Sequence, residues 1–167
     1  RRLYGKIFFI YPTPLALLDK GGFGWVWAYK KRKNIYFKVT IMDRNGLEHA
    51  IKSSWDKETC YPKSANRWSP KNPSLWQCTV TALIIQDYIW WEILFCLHDR
   101  HYWNRLPNWE IVDLTREQFR DPSFEDVILC IDKVIDRNSF LNSESAIRAK
   151  TNERYQLLKS RVEKKVN

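Results

Sequence analysis

Cys78, His101 and Asp113 are the residues whose types and order could do chemistry. A thiol becomes a nucleophile at neutral pH when an imidazole takes its proton, and a carboxylate can hold that imidazole in the productive tautomer. His101 follows Cys78 by 23 residues and Asp113 follows His101 by 12. Ser74 and Gln77 form an S-x-x-Q capping box, which predicts a helix from Ser74 to about Tyr88 with Cys78 in its first turn. Unsatisfied N–H groups and the positive end of the macrodipole lower a thiol pKa there. The expected oxyanion donors are the Cys78 backbone N–H and the Gln77 side chain, with Trp103 and Asn104 as supports beside His101. The competing explanation is structural: a small buried cysteine and a satisfied strand histidine. His49 and His98 have no partner motif, and Asp87 reads as a polar residue at a helix end.

The remaining cysteines point to packing. Cys60, Cys78, Cys96 and Cys130 show no C-x-x-C spacing, so neither a metal nor a cofactor is expected. Cys96 and Cys130 lie in apolar runs, whereas Cys60, in a loop, is the second candidate for a reactive thiol. Reduced thiols in a cytoplasm are the default for such a chain.

Several elements must position these residues. Val80 to Ile85 is apolar on most sides, as in a helix inside a core. Glu92 to Leu97 reads as a central strand. His101 to Arg105 and Glu110 to Leu114 read as two strands joined by a tight turn at Pro107-Asn108-Trp109. Thr115-x-x-Gln118 is a second capping box, and Val127 to Ile131 is ambiguous between strand and helix. From Asn142 to Val166 one or two helices close the chain, with Tyr155, Leu158 and Val162 on one face and the charged remainder toward solvent. Upstream, Lys6 to Tyr11 and Asn34 to Met42 read as strands, Gly21 to Gly24 as a flexible turn, and Asp43 to Gly46 as a turn and domain boundary. A short helix is expected over Leu47 to Lys52, then a proline-studded loop from Tyr61 to Pro73.

From about Leu47 onward the sequence resembles the YunG family. The resemblance is carried by Ser53-Ser54-Trp55, Trp68-Ser69-Pro70, Asn72-Pro73-Ser74, Gln77-Cys78-Thr79-Val80-Thr81-Ala82-Leu83, Gln86-Asp87-Tyr88 and His101-Tyr102-Trp103-Asn104-Arg105-Leu106-Pro107. Asp113-Leu114-Thr115-Arg116-Glu117-Gln118-Phe119 and Glu153-Arg154-Tyr155-Gln156-Leu157-Leu158 extend it. The H-x-W…D-x-T stretch is also similar to the second half of transglutaminase-like and papain-like cores. The resemblance implies an α+β fold with a papain-like or transglutaminase-like core, a buried Cys-bearing helix packed on a small antiparallel sheet. It supplies no substrate. The leading expectation is a cysteine-dependent hydrolase or acyl-transfer enzyme acting on an amide, ester or thioester. The alternative is a non-catalytic module that binds a peptide or small ligand on the same scaffold.

Charge divides the chain. Residues 1–44 hold ten Lys/Arg and two acids, while residues 45–167 hold eighteen and seventeen. The formal charge of +9 is therefore a property of a basic N-terminal segment of uncertain fold, and 45–167 forms the second domain. Nucleic acid is not expected as a partner except through residues 1–44, where Lys30 to Lys33 lies near Trp25, Trp27 and Tyr29. No apolar run approaches a membrane span, and the opening residues lack a convincing signal-peptide h-region.

The tryptophans form a separate pattern. Nine in 167 residues is a high count, and four sit where glycine is physically preferred. Trp109 occupies a two-strand connection that calls for positive φ, Trp90-Trp91 follows a helix end, and Trp76 stands ahead of the nucleophile. The YunG-like pattern carries Gly at these places, whereas Trp55, Trp68 and Trp103 match it as Trp. Codons UGA written as Trp, in an organism that reads them as Gly, would explain the set, with Trp25 and Trp27 as further members. Divergence with genuine tryptophans is the alternative.

Overall fold

The structure is a computed structural model that describes residues 15–19, 22–26, 42–89, 92–106, 108–119, 131 and 133–166. The chain divides into two units, Arg1–Leu47 and Glu48–Asn167. In the first, β1 (Leu15–Asp19), β2 (Gly22–Val26) and β3 (Met42–Asp43) form an antiparallel sheet in that order. Asp19 pairs with Gly22. The glycine stretch therefore becomes a strand from Gly22 onward, where a flexible turn is expected from sequence. The strand expected over Lys6 to Tyr11, most of that over Asn34 to Met42, and the Lys30 to Lys33 cluster lie outside the described residues.

α1 (Arg44–Lys52) begins where a turn is expected and carries Gly46 inside it. Burial of Leu47, Ala50 and Ile51 on one face offsets the roughly 1 kcal/mol that an internal glycine costs. Trp55 follows and donates its indole N–H to Thr81 Oγ1 at 2.9 Å. A 3₁₀ segment, Pro62–Arg67, starts on its proline, whose missing N–H is no loss in a first turn.

α2 (Cys78–Ile89) starts four residues later than the capping box predicts. Ser74 Oγ is hydrogen-bonded to Asn72 Oδ1 (3.2 Å), and Gln77 Nε2 donates to the Asp56 carbonyl (2.8 Å), so neither side chain caps the helix. The Gln77 carbonyl accepts the Thr81 N–H at 3.0 Å, which makes Cys78 the first helical residue. The body of α2 is apolar all round, with Val80, Leu83 and Ile84 fully buried.

β4 (Glu92–Cys96), β5 (His101–Arg105), β6 (Ile111–Val112) and β7 (Lys133–Ile135) form an antiparallel sheet in the order β6-β5-β4-β7. Asn104 turns one face of β5 to α2 by donating to the Ala82 carbonyl at 3.1 Å. β6 is shorter than the strand expected over Glu110 to Leu114 and pairs only with Asn104 and Arg105, so Asp113 lies just past its end. β7 was not legible in sequence, and nearly all of Val127 to Ile131 lies outside the described residues. α3 (Arg137–Leu141) and α4 (Glu144–Arg148) are capped by Asp136 and Ser143, whose side chains accept the Ser139 and Ala146 N–H groups. α3 starts upstream of the closing helices expected from Asn142. α5 (Thr151–Val166) buries Tyr155, Leu158 and Val162, and Arg154 with them, although only the aliphatic and tyrosine positions were expected inside.

The C-terminal end of α2 is clamped. Asp87 accepts the Tyr155 hydroxyl and pairs with Arg137 and Lys159, each at 3.0 Å. An acid at a helix C-terminus opposes the dipole, and these three partners offset that. The fold is thus α+β, a buried helix on a small antiparallel sheet, with one end of the helix held and the other presenting Cys78.

Candidate active site

Cys78 is placed by the start of α2, His101 by the first residue of β5, and Asp113 by the chain leaving β6. Asn104 is opposite Val112, so Asp113 falls diagonally from His101 across the same pair of strands. His101 Nε2 donates to Asp113 Oδ2 at 2.7 Å. Asp113 Oδ1 in turn accepts the Thr115 N–H (3.1 Å) and hydroxyl (3.2 Å), which fixes the carboxylate. Thr115 is therefore spent on Asp113 rather than on a capping box. Trp103 stacks on the His101 ring, with centroids 5.4 Å apart, and Phe119 meets it edge-on at 5.0 Å. The imidazole is buried among these groups and cannot rotate freely.

Cys78 lies beside the His101 end of β5, where β6 has already ended. Burial, the largest influence on its thiol, would raise the pKa, but hydrogen bonding and charge from His101 outweigh it. The backbone N–H of Tyr102 and the Thr79 hydroxyl also favour the thiolate, and the net direction is down. His101 moves the other way. Burial would lower its pKa, yet Asp113 and the Cys78 sulfur push it up to about 9. These directions favour a thiolate–imidazolium pair.

Gln118 is the site residue that sequence reasoning missed. It ends a 3₁₀ turn, Arg116–Gln118, and its Oε1 accepts the Trp76 N–H at 3.2 Å. That bond orients the amide, leaving Nε2 2.9 Å from His101 Nδ1. Nδ1 has one lone pair, so it either accepts from Gln118 with the ring neutral or carries the proton of the Cys78 thiol. A donor at Nδ1 stabilises neutral imidazole. Gln118→Ala is therefore expected to move the midpoint of Cys78 alkylation against pH downward, by up to about one unit for a hydrogen bond of ordinary strength. A midpoint that stays put or moves up would remove Gln118 from the site.

The other candidates fall elsewhere. Gln77 is bound to Asp56 and is not free to serve an oxyanion, and Asn104 anchors β5 to α2. Cys60 is buried, and that burial pushes its thiol up to about 11, so it is a poor nucleophile. Cys96 is buried in β4, and Cys130 lies outside the described residues. His49 and His98 are exposed. Among the described residues no cluster of His, Cys, Asp and Glu could hold a metal, and no helix is long and apolar enough to cross a membrane.

A cavity of about 220 Å³ opens beside Cys78, walled by Tyr61, Trp76, Thr79, Tyr102, Phe140 and Arg154 among others. Trp76 has φ 57° and Trp109 φ 67°, both in the left-handed region. The Trp76 indole N–H is buried with no partner, and Trp109 is 74% exposed. The pair Trp90-Trp91 lies outside the described residues.

Comparison with known proteins places the chain. The family described as YunG protein matches residues 43–167. The sequence is similar to "Uncharacterized protein YunG" of Bacillus subtilis (strain 168), at 35% identity over 78 residues. That alignment covers 46% of this chain and 63% of the relative, so less than two thirds of the relative's length is spanned. No solved structure matches. With the family match covering three quarters of the sequence, including Cys78, His101 and Asp113, the chain belongs to the YunG family.

Proposed function

We propose that the chain is a cysteine-dependent hydrolase or acyl-transfer enzyme acting on an amide, ester or thioester, on a papain-like or transglutaminase-like core. The observation that carries this reading is the position of His101, hydrogen-bonded to the Asp113 carboxylate and near enough to Cys78, at a helix start, to hold its thiol below the ordinary pKa. The Cys78 thiolate attacks the carbonyl carbon, and the carbonyl π pair moves onto oxygen. The Cys78 N–H, at the first position of α2, is a donor for that oxyanion. Gln118 Nε2, on leaving Nδ1, is a second. The tetrahedral intermediate collapses, the carbonyl re-forms, and imidazolium His101 gives its proton to the leaving amine, alcohol or thiol. Water or an acceptor amine then attacks the thioester as neutral His101 takes its proton, and the thiolate departs.

Because the leaving group needs a protonated His101, turnover is expected to fall as pH rises through about 9. The test uses p-nitrophenyl acetate as probe. A burst of nitrophenolate with an acetyl group on Cys78 by mass spectrometry is expected, and Cys78→Ala should abolish both. Acetylation confined to lysines, with Cys78 unmodified, would overturn the proposal.

A further inference from the structure

The cavity beside Cys78 holds a charge that the chemistry above does not use. Arg154 is only 6% exposed. Its Nη1 donates to the Thr59 carbonyl at 3.1 Å and its Nε to the Ala149 carbonyl at 3.0 Å, both neutral acceptors. Among the described residues no carboxylate forms an ion pair with it. A buried guanidinium without a carboxylate is costly: burial pulls its pKa below the ordinary arginine value, yet an arginine remains protonated. It faces a cavity whose lining contains a second arginine, Arg100, and no acidic side chain. The rest of the wall is largely aromatic even without Trp76: Tyr61, Tyr102 and Phe140. Arg154 itself lies over the Tyr61 ring, 6.0 Å from its centroid.

We propose that this cavity receives the acyl part of the substrate, and that the acyl part bears a carboxylate beside an apolar or aromatic group. Arg154 takes the carboxylate with its remaining N–H donors, Arg100 attracts it at the rim, and the aromatic walls take the apolar portion. The site therefore selects anionic amides, esters or thioesters over neutral ones of the same size. This rests on the reading of Cys78 as the nucleophile, and the experiment separates the two.

Cys78 is alkylated with iodoacetate and with iodoacetamide, reagents of nearly equal size that differ in charge. Both require the thiolate, so a change in thiol pKa moves both rates together and leaves their ratio fixed. The unmutated chain should favour iodoacetate, relative to a free thiol in solution, by about tenfold. Arg154→Gln should lower that ratio about fivefold or more, whatever it does to the iodoacetamide rate alone, and Arg154→Lys should retain most of it. An unchanged ratio in Arg154→Gln overturns the proposal. Iodoacetamide that reacts no faster at Cys78 than at Cys60 instead overturns the nucleophile reading. Should Arg154→Gln fail to fold, equilibrium binding to the unmutated chain decides. At equal ionic strength, phenylacetate should raise the thermal midpoint and phenylacetamide should not, whatever the reactivity of Cys78. Equal shifts, or none with phenylacetate, overturn the anionic assignment.

Discussion

Replacing His101 with alanine is expected to slow alkylation of Cys78 at neutral pH by about tenfold or more. Burial is the largest influence on this thiol and acts to raise its pKa, so removing the group that overcomes it returns Cys78 to the high side of the ordinary range. For each unit by which a thiol pKa rises above ambient pH, the thiolate fraction falls tenfold. Greater intrinsic nucleophilicity returns only roughly threefold of that. Asp113→Ala should have a smaller effect in the same direction. The ring then keeps its stacking on Trp103 but loses its Nε2 acceptor, which also biases the tautomer. Cys60, with its thiol near 11, serves as an internal reference that should react slowly throughout. Peptide mapping of alkylated protein against time gives all three rates. Equal labelling of Cys60 and Cys78, or indifference of Cys78 to the loss of His101, would leave a buried packing cysteine and nothing more.

The second large effect is one of stability. A chain carrying Trp76→Gly and Trp109→Gly is expected to be more stable by roughly 2 kcal/mol, which is about 4–8 °C in midpoint for a protein of this size. Both residues hold positive φ, where a Cβ costs roughly 1–2 kcal/mol and glycine nothing. The Trp109 indole is mostly solvated and returns only its contact with Arg105, 4.8 Å from the ring. Leu106 O accepts the Trp109 N–H, and Leu106 N–H donates to Glu110 O, the hairpin closure in which the last loop residue is left-handed. Trp76 adds a buried N–H without a partner and narrows the cavity at Cys78. Trp55 and Trp68 contrast with it, each with its indole N–H bonded, to Thr81 and to the Pro73 carbonyl. The gene is expected to carry UGA at positions 76 and 109. UGG codons there, together with a glycine variant of unchanged midpoint, would defeat the idea. Since Trp76→Gly also widens the cavity, bulky alkylating reagents should gain more from it than iodoacetamide does.

What could be read from the sequence was local or chemical in kind. The apolar run of α2 is legible because burial on all sides leaves no polar stripe, and β4 and β5 follow from their β-branched and aromatic content. Cys78, His101 and Asp113 were candidates by type and order, and the structure brings their side chains together. The misreadings of the two glutamines share one cause. Ser74, Gln77, Thr115 and Gln118 have the spacing of helix caps, and a local rule assigned their side chains to local N–H groups. Gln77 instead reaches Asp56, 21 residues away, and Gln118 reaches His101, 17 residues away. Long-range partners leave no trace in local spacing. A hint existed at Gln118, since Pro122 soon follows and a cap with so little helix to serve is poorly employed. Arg154 was hidden by the ordinary expectation that charge on a terminal helix faces water. β7 is three residues long and is defined by its pairing with β4 rather than by its own composition.

The two-residue length of β6 has a consequence for how the protein behaves in a crowded solution. A strand edge with free N–H and C=O groups is a template for another chain, and proteins ordinarily blunt it with charge, a bulge or a covering segment. Among the described residues β5 has no strand neighbour on its β6 side at its His101 end, and the Tyr102 N–H there favours the Cys78 thiolate. The Cys78 sulfur thus stands at a gap in the sheet. Emptying that position does more than remove a reactive group. It uncovers a backbone donor at the border of the sheet, and self-association belongs among the properties to be followed whenever Cys78 is changed.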